Sequence, residues 1–185
     1  MRKYWYPVAG LGALIGIVAS FWDTIDYQLL LKNSHIALSC NLNSAFSCST
    51  VLSSWQSKVF GFPNSMMCLV FFSLILGFAI TGPGNKVIRK TRYLIHGLAV
   101  FFLGFGAWFL EQSIFSIRAI CILCLFCYGG VILINAALLR LNYDDLPLHS
   151  AAHDKLAKFF KSGTDIFVWI LYALVIGFII LFRFK

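Results

Sequence analysis

The chain has 185 residues, of which 60% are hydrophobic, 17% aromatic and only 12% charged, and its mean hydropathy is +0.84. A soluble domain carries about 45–50% apolar and about 25% charged residues, so this composition excludes a soluble globular domain, a disordered tail and a nucleic-acid-binding module. The net charge of +8, from 15 Lys+Arg against 7 Asp+Glu, sits at the ends of apolar runs, where basic residues set orientation in a bilayer rather than bind polyanions.

An all-α integral membrane protein follows. A membrane helix needs about 20 mostly apolar residues, and five runs approach that length: Tyr6–Trp22, Asn64–Thr81, Tyr93–Leu110, Ala119–Leu139 and Ile166–Phe182. The opening Met1-Arg2-Lys3 resembles a signal peptide start, but Trp22, Asp23 and Asp26 stand where a small-residue cleavage site belongs, so the first run is read as an uncleaved span. Gly12 and Gly16 form a small-xxx-small pair, and Gly97, Gly104 and Gly106 lighten the third span; such residues let membrane helices approach closely. The loop Asn142–Thr164, with an amphipathic piece near Leu156–Phe160, reads as a connector.

Lys and Arg counts set the orientation. With the N-terminus inside, ten fall inside (Arg2, Lys3, Lys86, Arg89, Lys90, Arg92, Arg140, Lys155, Lys158, Lys161) and five outside (Lys32, Lys58, Arg118, Arg183, Lys185). Gln28–Pro63 and the turn Gln112–Arg118 then face outward.

Six cysteines occur, and four form two outward-facing pairs: Cys40 with Cys48, and Cys121 with Cys124. An oxidising compartment favours pairing. Cys121 and Cys124, at i and i+3, are expected to share one helical face about 5–6 Å apart. A bridge across so small a loop restrains an unfolded chain little, whereas a thiol at a helix start near a cation, here Arg118, suits rapid exchange. Two other readings stay open at this point: buried packing thiols, and a thiolate metal site, which the lack of any histidine or carboxylate near these cysteines disfavours.

From Cys48 to Phe60, apolar residues at 48, 51/52, 55 and 59 form a helical stripe on a polar segment. This predicts a short amphipathic helix on the membrane surface that carries Cys48 over the mouth of the bundle and leaves Cys40 facing solvent. Tyr128 follows Cys124 by four residues, stacked about 6 Å along the axis, and Asn64 opens the second span. A flat apolar ring bearing carbonyls suits such a pocket.

These residues resemble the vitamin K epoxide reductase family. The carriers are Cys40 and Cys48 with seven residues between them, the Ser-x-Val-x-Ser-Ser that follows, Gly61-Phe62-Pro63-Asn64-Ser65, and Cys121-x-x-Cys124 with Tyr128 four residues on. The resemblance implies a four-helix bundle around a quinone (ubiquinone or menaquinone), capped by a short horizontal helix, with a fifth transmembrane helix, all in one domain over 1–185. It implies a bacterial inner-membrane oxidoreductase: Cys40 takes electrons from a thioredoxin-like (DsbA-like) partner, Cys48 passes them to Cys121, and Cys124 faces the quinone. Asn64 and Tyr128 match positions that bond the quinone carbonyls, and Ser54 matches a lid serine near them. Asn41 departs from the acidic residue many members carry there, which puts the usual lid lock in question. Cys68 and Cys127 belong to no motif and are expected to pack. Many bacterial members carry a fused thioredoxin-like domain after the fifth span; this chain stops at Lys185, so the thiol partner is expected to be a separate protein. The alternatives are a non-catalytic membrane scaffold with two structural disulfides, and a thiolate metal-handling protein.

Overall fold

The structure, a computed structural model, describes residues 4–33, 36, 38–43, 45–83, 89–143, 160 and 162–184. Six α-helices carry the described chain: α1 (Trp5–Lys32), α2 (Cys48–Ser53), α3 (Asn64–Thr81), α4 (Arg89–Gln112), α5 (Ile122–Asn142) and α6 (Thr164–Arg183). All but α2 are long and apolar enough to cross a membrane. Most of the amphipathic piece expected at Leu156–Phe160 lies outside the described residues, as do Arg2, Lys3, Lys86, Lys155, Lys158, Lys161 and Lys185 of the charge count.

α3 occupies the expected Asn64–Thr81, while α1 runs ten residues beyond Trp22. The apolar run ends at Asp23, but Asp23 and Asp26 are buried with partners, so the helix has no reason to stop there. α5 starts three residues later than expected, because Arg118 takes a left-handed conformation (φ 58°) after the π turn Ser113–Ile117, and Ala119–Cys121 stay extended.

α1 packs along both α3 and α5, and α4 packs along α5. Phe71, Phe72, Ile75, Ile134, Leu138 and Leu141 fill the centre, and Phe71 stacks on Phe102 with ring centroids 4.2 Å apart. Around this core the outer faces of the helices expose Leu14, Val18, Val70, Leu74 and Phe101, as a lipid-facing surface requires.

The Gly12/Gly16 pair does act in packing. A Cβ on Gly12 would meet Gly130 O of α5 at 2.9 Å, and one on Gly16 would meet the Phe72 ring of α3 at 2.3 Å. In α4 only Gly106 has a close neighbour, the Tyr128 ring at 2.5 Å; Gly97 and Gly104 have nothing within 4 Å. α6 lies at the edge, with Phe167, Leu174 and Phe178 exposed. Its Asp165 is buried in a bidentate pair with Arg140, whose guanidinium also lies 4.3 Å over the Trp5 ring. Arg140, counted in the sequence as an orienting charge, thus also ties α6 to α5 and α1.

Gly130→Ala places its Cβ 2.6 Å from Gly12 O, a backbone atom that cannot swing aside. It should destabilise the bundle by about 1–3 kcal/mol, read as a lower unfolding midpoint in detergent. Gly97→Ala should leave that midpoint unchanged or raise it.

Candidate functional site

The site begins with a short piece of backbone pairing. Phe46 and Ile120 form a parallel bridge: Ser47 N donates to Ile120 O at 3.1 Å, and Ile120 N donates to Ala45 O at 2.8 Å. Cys121 directly follows Ile120, and Cys48 directly follows Ser47, the donor to Ile120 O, so the pairing brings the two cysteines close. Ser47 caps α2, its side chain accepting from Thr50 N. Asn41 clasps the same turn: its Oδ1 accepts from Ser49 N at 3.1 Å and its Nδ2 donates to Ser49 Oγ at 2.9 Å. The residue that departs from the expected acidic type therefore holds the lid as a neutral amide.

The lid follows the predicted stripe only to Leu52. Cys48, Val51 and Leu52 are buried, but Ser54 turns extended (ψ 155°) and the chain resumes as a single 3₁₀ turn, Trp55–Lys58. Trp55 and Val59, expected to point inward, are exposed, while Gln56 and Ser57 are buried in their place.

Cys40 and Cys48 form a disulfide with Cα atoms 5.8 Å apart. Cys121 Sγ lies 3.2 Å from Cys48 Sγ and donates to Asp23 Oδ1 at 3.4 Å. Asp23, Cys121 and Cys124 bring a carboxylate oxygen and two sulfurs within 4.8 Å of one another. Asp26 Oδ2 lies 3.4 Å from Cys40 Sγ.

Four expectations are corrected here. Cys40 does not face solvent: it is 9% exposed, within a cluster of Leu38, Cys48, Val51, Leu52, Ala119 and Cys121. Cys121 and Cys124 do not share one face of a helix, because Cys121 is the extended N-cap residue of α5, and both are free thiols. The group beside Cys121 is the carboxylate of Asp23 rather than Arg118, which is exposed. That carboxylate also ends the expectation that no acid lies near these thiols.

Beneath the lid a cavity opens between α1, α3, α4 and α5, lined mainly by Phe102, Phe105, Phe109, Leu110 and Val131, with Cys121 and Cys124 at its wall. Asn64 and Tyr128 both line it. Asn64 Nδ2 donates to Gln56 O at 2.7 Å, and its buried Oδ1 has no partner among the described residues. The Tyr128 hydroxyl is shared with Tyr172 of α6 at 2.5 Å. Ser54 lies outside this lining; its hydroxyl turns back to Val51 O at 2.6 Å. Ser57 takes its place, reaching the cavity while donating to Leu52 O at 2.8 Å. Cys68 and Cys127 pack against the central core and also touch the cavity.

Sequence inspection missed Asp23, Asp26, Ser57 and Tyr172. A signal existed for the first two, since carboxylates one turn apart at the end of a membrane helix are costly unless they serve a site. Nothing in the local pattern marks Ser57 or Tyr172.

Five spanning helices with a disulfide and a second thiol pair in contact at one end define a helical membrane protein built around sulfur chemistry. The chain belongs to the vitamin K epoxide reductase family, whose model matches residues 7–139, from α1 through most of α5. Membership implies oxidoreductase activity in a membrane, on thiols and disulfides. Comparison with curated proteins returned no match.

Asn41→Ala removes its side-chain bonds with Ser47 and Ser49 at the start of α2. Amide exchange at Ser49 should quicken about 2- to 10-fold, the worth of roughly one hydrogen bond, measured by exchange mass spectrometry with the disulfide intact. An unchanged rate would mean that the bridge alone holds the lid.

Proposed function

We propose that this protein reoxidises a separate periplasmic thioredoxin-like (DsbA-like) protein and passes the electrons through two cysteine pairs to a membrane quinone, thereby supporting disulfide bond formation. The observation that carries the reading is the 3.2 Å contact between Cys121 Sγ and Cys48 Sγ, a sulfur already in disulfide with Cys40. Three sulfurs in such contact can trade partners without either helix moving far.

Cys40 is the entry point, being 9% exposed where Cys48 is wholly buried. A partner thiolate attacks Cys40 and releases Cys48. Cys48 attacks Cys121 of a Cys121–Cys124 disulfide and frees Cys124. The partner's second thiolate breaks its bond to Cys40 and leaves as the oxidised protein; the freed Cys40 then closes on Cys48 and releases Cys121, which leaves an outer disulfide and an inner dithiol, the arrangement seen here. A static scaffold would have no need of that second, unbridged pair against the first.

The chemistry a quinone supplies when bound is acceptance of two electrons and two protons. The cavity suits such a ring: aromatic walls, and the unpartnered Oδ1 of Asn64 where a quinol hydroxyl can donate. Asn64 and Tyr128 orient the ring, and Cys124 meets it. Ser57 supports this reading better than Ser54, since it borders the cavity. The Lys and Arg distribution supports an orientation with the N-terminus in the cytoplasm and the cysteine end on the periplasmic side of a bacterial inner membrane.

Purified protein given a dithiol and a quinone should reduce the quinone, followed by absorbance, and Cys124→Ser should cut the rate to background. Wild-type protein that leaves the quinone oxidised would remove the reading. Cys40→Ser should block electrons from a thioredoxin-like donor while a small dithiol still reaches Cys121; equal loss with both donors contradicts the order of transfer. Tyr128→Phe should raise the quinone concentration for half-maximal rate about 2- to 10-fold, the worth of one hydrogen bond.

A further inference from the structure

Each sulfur exchange must take a proton from one thiol and return one to another, because the thiolate is the attacking species. Cys121 is 1% exposed and Cys48 wholly buried, so bulk water is a poor agent for that transfer. Two carboxylates lie at the sulfurs instead. Asp23, 5% exposed, accepts from Cys121 Sγ at 3.4 Å; Asp26, 4% exposed, lies 3.4 Å from Cys40 Sγ. They sit one turn apart on the same face of α1.

We propose that Asp23 and Asp26 are catalytic residues that move the protons of the exchange between the two cysteine pairs. The proposal rests on the thiol relay of the preceding section and adds what that relay lacks, a base and an acid at its two ends. Cys121 S–H gives its proton to Asp23, and the Cys121 thiolate attacks Cys48. The Cys48–Cys121 bond forms as the Cys40–Cys48 bond breaks, and the departing Cys40 thiolate takes a proton from Asp26. Net, one thiol and one disulfide become another thiol and another disulfide, with a single proton carried from Cys121 to Cys40. Passage of a proton between the two carboxylates resets them. In the opposite direction the same groups act in reversed roles.

The surroundings fit this use. Besides Asp23, the titratable groups lining the cavity are Cys68 from α3 and Cys121, Cys124, Cys127 and Tyr128 from α5 and its N-cap; among the described residues no lysine, arginine or histidine lines it. Asp23 therefore faces thiols rather than a cation that would hold it permanently in an ion pair. A carboxylate placed in a membrane helix for structure alone is hard to account for, given its desolvation cost.

The test is internal to the protein and needs neither partner nor quinone. In a Cys124→Ser background with Cys40–Cys48 oxidised, attack by Cys121 yields a Cys48–Cys121 crosslink and a free Cys40, which a maleimide captures; peptide mass spectrometry measures both products over time. Asp23→Asn in that background should slow the crosslink about 100-fold or more. Its rate should then rise steeply with pH, roughly tenfold per unit, because bulk base must make the thiolate, while the Asp23 protein shows a shallower slope. Asp23→Glu should recover part of the rate. Should Asp23→Asn fail to fold, judged by its unfolding midpoint, Asp23→Ser serves as the second neutral replacement for the same slope. Equal rates and slopes with and without the carboxylate, a glutamate no better than asparagine, or no crosslink in the Asp23 protein would each overturn the proposal. Failure of the wild-type protein to reduce quinone would strike the proposed function and leave this exchange rate standing, so the two can fail separately.

Discussion

Two amide hydrogen bonds between the loop joining α1 to α3 and the residue before Cys121 govern the site. A six-residue helix such as α2 has no stability of its own in water, and the segment that carries it is long and polar. The parallel bridge between Phe46 and Ile120 removes that freedom at one point. Ser47, which donates to Ile120 O, directly precedes Cys48, and Ile120 directly precedes Cys121, so the pairing carries both cysteines to the same place. The caps from Ser47 and Asn41 then hold α2 at its first turn, and the burial of Cys48, Val51 and Leu52 presses it onto the bundle. The sulfur contact at 3.2 Å is the outcome of this local order, and no sweep of a mobile lid is needed to reach it.

The second constraint is the approach of α1 to α5. Gly12 and Gly130 let the two backbones touch, and the same α1–α5 packing, about three turns further along, lets the short side chain of Asp23 reach Cys121. A longer spacing would leave the buried Asp23 carboxylate with one donor fewer, only the Ser65 hydroxyl remaining, and burying a polar group without its partners is costly. Packing and chemistry are therefore coupled: the small residues in the middle of the bundle set the distance at which the polar groups at its end can meet. The Arg140–Asp165 pair does comparable work for α6, tying its start to α5 so that Tyr172 can meet the Tyr128 hydroxyl.

Within the cavity the division between apolar wall and polar tip is sharp. Aromatic side chains from α4 supply area, and among the polar groups that reach it, Asn64, Ser57 and Tyr128 are each held by a backbone or side-chain partner elsewhere. Side chains held this way present one fixed face to whatever enters, which is how a mostly apolar pocket gains orientation.

The five spans and the Cys40–Cys48 pairing were legible because both are local: hydrophobic length follows directly from composition, and the two bridged cysteines lie within one short loop. The path of the lid was not, since the extended backbone at Ser54 breaks a stripe that the residue types continue, and it exchanges Trp55 for Gln56 and Ser57 on the buried side. The end of α1 was misjudged for a related reason. Two aspartates look like the edge of a membrane span until the thiols that accommodate them, 98 residues away for Asp23 and 14 for Asp26, are in view.

By itself the sequence determined a helical membrane protein with two thiol pairs at one end, because hydrophobic content and residue spacing act over a few turns of chain. Which sulfur meets which, and that carboxylates attend them, was decided by the tertiary structure alone: contacts across so many residues depend on helix packing distances and backbone register, quantities that no local pattern encodes.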